Sequence, residues 1–154
     1  MSFIFYFLGM AIILIGMVFI SQTAGLQPEI FYNVFSLIFV FGPTIFIALS
    51  SFRVGQVFRS LGLAFVDTKD KSILLIAVDC LTEMKSTSIA SGFIGTIMGL
   101  IVNLLSIEMD DNLFQAFCVS LGLSLISVLY GLIVGYLIFE PMKKNVQRQL
   151  DNLQ

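Results

Sequence analysis

Thr96, Asn103, Ser127 and Tyr130 are the side chains with chemistry to offer from inside apolar surroundings. Their hydroxyl and amide groups can help solvate a cation or bond a neighbouring helix, yet none ionises near neutral pH. Taken alone, the Thr, Ser and Asn could equally bond a carbonyl one turn back in their own helix. The chain has no His and no Trp, which excludes a His-based triad, a His-ligated metal and an imidazole proton relay. Cys80 and Cys118 make no CxxC or other metal-ligand spacing, and no nucleophile–base pair stands out. These residues predict neither an enzyme nor a bound cofactor.

The elements that carry such groups have to be membrane helices. Of 154 residues, 58% are hydrophobic and 12% charged, and the mean hydropathy is +1.01. A soluble domain carries about twice that charged fraction. At this size it would bury only about 70% of its surface, leaving the apolar excess in water. Disorder, a nucleic-acid module and a secreted disulfide scaffold are excluded on the same grounds.

Uninterrupted apolar stretches run at roughly Phe3–Ile20, Phe31–Ser50, Ile89–Leu105 and Leu113–Phe139, none holding a charged residue. Each approaches or exceeds the ~20 residues needed to cross a ~30 Å hydrocarbon core. They are continuous rather than alternating, which selects helices over barrel strands. The expected fold is an all-α integral membrane protein, a single transmembrane domain over residues 1–154. Its four spans fall at about 3–20, 31–50, 87–105 and 113–140, with a cytoplasmic loop 53–87 and a cytoplasmic tail 141–154. The first stretch lacks a basic n-region and outruns the about 7–15 residues of a signal h-region, so a retained span is expected.

The net charge of −2 says less than where the charges sit. Arg53, Arg59, Lys69, Lys71 and Lys85 lie between the second and third stretches, and Lys143, Lys144 and Arg148 follow the fourth. The other two connectors hold no basic residue and carry Glu29, Glu108, Asp110 and Asp111. The positive-inside rule then places both termini and the middle loop in the cytoplasm. Ser72–Met84 mixes apolar and charged residues, so it is expected to prolong the third helix below the membrane. The fourth helix is expected to run past Glu140–Pro141, where the proline kinks it or marks the interface. The loop charges Asp67, Lys69, Asp70, Lys71, Asp79, Glu83 and Lys85 read as a solvated, topology-setting surface.

In the third stretch Ser88, Gly92, Thr96, Gly99 and Asn103 recur at helical spacing and share one face. In the fourth, Ser120, Ser124, Ser127, Gly131 and Gly135 do the same. Each also holds a GxxxG, at Gly95–Gly99 and Gly131–Gly135. Small residues let membrane helices approach closely, and packing is the plain reading for Gly92, Gly95, Gly99, Gly131 and Gly135. The polar members could instead face a pore or a partner helix. No Asp, Glu, Lys or Arg lies in the four apolar stretches, Glu140 standing at the exit of the last, so a carboxylate for ion transport has to come from another chain.

Gly92-Phe93-Ile94-Gly95-Thr96-Ile97-Met98-Gly99-Leu100 resembles the glycine-threonine signature of the flagellar stator A-subunit/TolQ/ExbB family. Leu129-Tyr130-Gly131 and Phe139-Glu140-Pro141 resemble that family's last span and its exit. Gly42-Pro43-Thr44, Phe52 and Val57-Phe58 are a fainter likeness to the flagellar branch's second span. The resemblance covers about Ser88–Arg148 well and most of the chain loosely. It implies an A-type subunit of a proton- or sodium-driven motor in the bacterial inner membrane. Such subunits form a homopentamer around single-span B-type partners (ExbD/TolR/MotB-like) whose intramembrane Asp carries the ion. By the same resemblance the third and fourth helices line the ring interior. Thr96 and Ser127 line the ion path, Asn103 shares that face, and Tyr130 packs close by or gates access. No nucleic acid is implied as a partner.

The sequence departs from the family pattern in three places. Ile89 stands near the usual proline, one of two hydroxyls expected on the last span is replaced in Ser127-Val128, and the large cytoplasmic domain of flagellar stators is missing. A reduced or divergent member is the reading that follows. Two others stay open: a scaffold that uses its GxxxG faces only for association, and a self-contained carrier or channel.

Overall fold

A computed structural model describes residues 2–23, 25, 33–66, 68–106 and 113–153. Every regular element among them is helical: α1 (Ser2–Thr23), α2 (Val34–Ser51), α3 (Val54–Leu63), α4 (Lys71–Ser106), α5 (Leu113–Leu132), a π-helical segment (Ile133–Phe139) and α6 (Glu140–Asp151). Three helical runs are long and apolar enough to cross a bilayer: Val34–Ser51, Lys71–Leu105 and Phe117–Asp151. The corresponding apolar stretch of α1 is shorter, Ala11–Thr23, so three of the four expected crossings are supported on this ground. Only 22–28% of the residues in those three spans are buried inside the chain. The apolar residues left outside, such as Phe35, Phe46 and Ile94, require lipid or further subunits rather than water. The acidic connector residues Glu29, Glu108, Asp110 and Asp111, and Asp67 of the middle segment, lie outside the described residues.

Asn33 starts α2 by capping it, its side-chain oxygen accepting from the N–H groups of Phe35 (3.1 Å) and Ser36 (3.3 Å). From there Ser36, Val40, Thr44 and Ala48, spaced by four, form the buried stripe. Pro43 sits inside this helix without breaking it. The next residue, Thr44, turns its hydroxyl back to the Val40 carbonyl at 2.6 Å.

α4 has 36 residues, about 54 Å at 1.5 Å per residue, well beyond a ~30 Å hydrocarbon core. It begins at Lys71, so the polar stretch before the third span is its continuation. Here it joins α3 and α6 in a compact base. Leu74, Ala77, Cys80, Leu81 and Met84 of α4 pack with Val57 and Leu63 of α3 and with Met142, Val146 and Leu150 of α6. The end of α3 is capped from α6: Asn145 Nδ2 donates to the Ala64 carbonyl (2.6 Å) and Gln149 Nε2 to that of Leu63 (3.2 Å). The charged residues Lys69, Asp70, Lys71, Asp79 and Glu83 are exposed, as expected of a solvated surface, while the apolar side of the same segment is packed. The segment holds an amphipathic helix whose core is completed by the tail.

Pro141 neither ends nor interrupts the last helix. A proline cannot donate to the carbonyl four residues back, and its ring crowds that carbonyl. The turns just before it widen to π geometry, in which the Glu140 N–H reaches Gly135 O, five residues back. Helical structure is therefore continuous from Leu113 to Asp151.

Candidate functional site

The two small-residue faces are turned on each other. A Cβ added to Gly92 would stand 2.8 Å from Ser127 O and 3.0 Å from Gly131 Cα, and one added to Gly131 would stand 2.6 Å from Ser88 O. Backbone meets backbone there, a distance only glycine permits. Further along, Gly95 faces Ser127 Cβ at 3.2 Å, Gly99 faces Ser124 Oγ at 3.0 Å, and Gly135 faces the Ile89 side chain at 2.8 Å. All five glycines read as packing residues are at this seam. Ile89, standing where the flagellar pattern has proline, fills the space above Gly135.

Close approach lets the hydroxyl of Thr96 reach into the backbone of α5. Its Oγ1 lies 2.9 Å from Ser124 O and 3.0 Å from Gly92 O, and accepts from the Val128 N–H at 3.1 Å. Thr96 is 8% exposed, so its hydroxyl serves the α4–α5 contact. Asn103 Nδ2 donates to Ser120 O (3.2 Å) and Ser124 Oγ (3.1 Å), and Ser124 Oγ donates to Ser120 O (2.9 Å). Ser127 turns instead to α2, donating to Ser36 Oγ at 2.8 Å. Tyr130 is half-buried, its phenolic oxygen accepting from the Asn33 N–H at 3.4 Å.

Thr96 and Asn103 thus share the α4–α5 seam, and Ser127 and Tyr130 tie α5 to the start of α2. Beside the seam is a half-open cavity bordered by Asn33, Ser36, Asn103, Ser124 and Ser127. The site offers hydroxyls, amides and helix carbonyls, but no ionisable carboxylate. It can hydrate or ligate a cation weakly and cannot itself carry a proton. Among the described residues no group of His, Cys, Asp and Glu is placed to hold a metal.

Sequence reasoning missed two partners. Ser36 gives no sign in the sequence of facing Ser127, because nothing in the α2 pattern tells which helix it packs against. Lys85, read as one of the solvated loop charges, is 2.8 Å from Glu140 Oε2 and stands over the Tyr136 ring, 4.4 Å from its centre. Lys144 reaches the other carboxylate oxygen at 3.4 Å. The signal was available: opposite charges just outside two adjacent antiparallel spans fall at one depth. With the Lys85 and Glu140 side chains 22% and 20% exposed, the pair ranks between an exposed and a buried ion pair. Glu140→Gln is expected to cost about 1–3 kcal/mol. The Lys85→Glu/Glu140→Lys exchange should recover only part of this, since Lys144 then opposes the new lysine. A double-mutant cycle on thermal unfolding reads the coupling.

The family model of the MotA/TolQ/ExbB proton channel family matches residues 48–154. None of the curated proteins matches the chain.

Proposed function

This chain belongs to the MotA/TolQ/ExbB proton channel family, and on that premise we propose that it is the A-type subunit of an ion-driven rotary motor in the bacterial inner membrane. In this reading α1 is a fourth span, both termini are cytoplasmic, and the subunit forms a homopentamer. The ring surrounds single-span B-type partners whose intramembrane Asp carries a proton or sodium ion. One observation carries the proposal: Thr96, Asn103, Ser127 and Tyr130 lie on the α4–α5 and α2–α5 contacts, and none of them is a carboxylate. A channel-family subunit so equipped needs the titratable group of another chain. The basic residues at one end of the spans support the orientation. The scaffold reading loses its basis, because the glycine faces it would use are already buried against each other.

The test is native mass spectrometry of the gently solubilised chain with the single-span, Asp-bearing product of a neighbouring reading frame, paired with ion flux in liposomes. The expected result is a pentamer holding two partner copies, with flux that disappears when the partner's Asp becomes Asn. A chain that ignores that product, or that conducts alone, overturns the motor reading.

A further inference from the structure

One side of α3 and the residues just after it is apolar and exposed where hydrocarbon does not reach. Val54, Phe58, Phe65 and Val66 are 57–70% exposed. The Lys85–Glu140 pair marks the edge of the hydrocarbon, because such charges stay out of it. Asn145 and Gln149, which cap the end of α3 at Ala64 and Leu63, are about 7.5 and 13.5 Å beyond Glu140 at 1.5 Å per residue. Phe65 and Val66 follow Ala64 at that depth, out of reach of acyl chains, and an exposed apolar patch there marks an interaction surface. Gly55 and Gly62 lie on the same side, and a Cβ on either would meet nothing within 4 Å. Glycine inside an exposed helix costs about 1 kcal/mol relative to alanine; in return it leaves room for a second helix to come close. The patch carries exposed Arg53 and Arg59, and no acidic residue occurs between Ser51 and Val66.

We propose that this face of α3 docks on the outer face of α4 in the base of a second copy of the chain. Below Lys85 the outer face of α4 shows Leu75, Asp79, Thr82, Glu83 and Ser86, acidic where α3 is basic. Within one chain α3 and α4 meet by their inner faces, Val57 and Leu63 packing with Ala77, Cys80 and Leu81. Their outer faces are therefore turned to different sides of the base. Contact between one copy's α3 and the next copy's α4 is head-to-tail and can repeat around a ring. Copies in one bilayer share its normal as their rotation axis, which leaves every residue at its own depth. The register inside the chain thus sets the register between chains. Cys80 hydrogen-bonds Ser60 across the antiparallel α3–α4 pair, so each step along α3 from Ser60 matches a step back along α4 from Cys80. Phe65 comes level with Leu75, apolar against apolar, and Phe58 with Thr82. Arg59 falls between the depths of Asp79 and Glu83, about 3 Å from each. The proposal rests on the homopentamer of the preceding reading and names the surface by which its copies meet.

Two versions of the full chain with Cys80→Ala and Cys118→Ala are co-produced in one bacterial membrane under different affinity tags. One carries Phe58→Cys and the other Thr82→Cys. The isolated membranes are oxidised with copper–phenanthroline, and only a disulfide between copies joins the two tags. A second level pair is Phe65→Cys with Leu75→Cys, which guards against one variant that fails to fold. The out-of-register pair is Phe58→Cys with Leu75→Cys, seven residues or about 10 Å apart in depth. Disulfide in both level pairs and none in the third is the expected result. Arg59→Glu in the Phe58→Cys chain should remove most of the product, and Asp79→Arg with Glu83→Arg in the other chain should restore it. A folding fault would not be rescued in this way. Native mass spectrometry of the same chains, gently solubilised, separates the outcomes. Association without either level disulfide, or with equal disulfide in all three pairs, overturns this contact and leaves the motor reading standing; the patch then belongs to lipid headgroups or another protein. Chains that do not associate overturn both. Level disulfides without partner binding or flux overturn the motor and keep the contact.

Discussion

Gly131→Leu is expected to unseat α5 from α4 and, with it, to abolish assembly of the proposed ring. Even the first added carbon would lie 2.6 Å from Ser88 O and 3.0 Å from Gly92 Cα. These are backbone atoms of a long helix, which cannot swing aside as a side-chain tip can. Overpacking of a well-packed site costs about 1–3 kcal/mol and occasionally more; a leucine between two backbones belongs at the upper end. Gly135→Ala should be milder, because its new methyl meets the flexible end of Ile89 as well as Ser88 Oγ. Gly122→Ala, on the same helix with nothing within 4 Å, should be neutral or stabilising, by up to about 1 kcal/mol from helix propensity. Thermal unfolding in detergent and native mass spectrometry of the three variants check the order. Equal effects at all three positions would contradict the close approach.

On the proposed motor function, Thr96→Val is expected to abolish partner-dependent ion flux while the chain still folds, whereas Thr96→Ser keeps flux. Valine has nearly the shape of threonine, so the seam remains filled. What goes is the oxygen that accepts from the Val128 N–H and donates to a carbonyl at 2.9–3.0 Å. Losing the two bonds costs about 1–3 kcal/mol, at about 0.5–1.5 kcal/mol each, too little to unfold a helix pair held by backbone packing. Serine supplies the same oxygen. If the valine variant conducts normally in liposomes with its partner, Thr96 is a packing residue and has no place on the ion path. Bulky replacements are less informative here, since a side chain 8% exposed has no room to grow and the seam would open for steric reasons alone.

The seam was legible in the sequence because helical periodicity fixes which residues share a face, whatever the face is packed against. Gly92 with Thr96 and Gly99, and Ser124 with Ser127 and Gly131, needed only a period of 3.6. The identity of the opposing surface did not follow from that period, and the choice between packing and pore stayed open until Gly92 was seen against Gly131. Ser36 was out of reach for the same reason: its stripe on α2 reads equally well against lipid, α4 or α5. The base shows a different limit. α3 buries Val57, Ser60 and Leu63, and with one serine among three inward positions its apolar period is too short and mixed to stand out. Its core residues on α6 lie far away in sequence, beyond any local pattern. Pro141 marked where something had to change in the last helix, but a kink, a stop and a slip of register all satisfy a proline. Packing of Val134 and Gly135 on α4 went with the slip.

Two rods join the membrane part to the base, and they differ in stiffness. α4 is an unbroken α-helix throughout, whereas the other rod contains a wider-turned section from Ile133 to Phe139, with a proline two residues beyond it. A bending load on the base would be borne by the first rod and yielded to by the second. The place of yielding is one end of the seam, at Gly135 and Ile89, not the level of Thr96. Strain from the base would therefore be spent before it reached the polar groups, and a sideways push on this protein would leave the spacing around Thr96 unchanged.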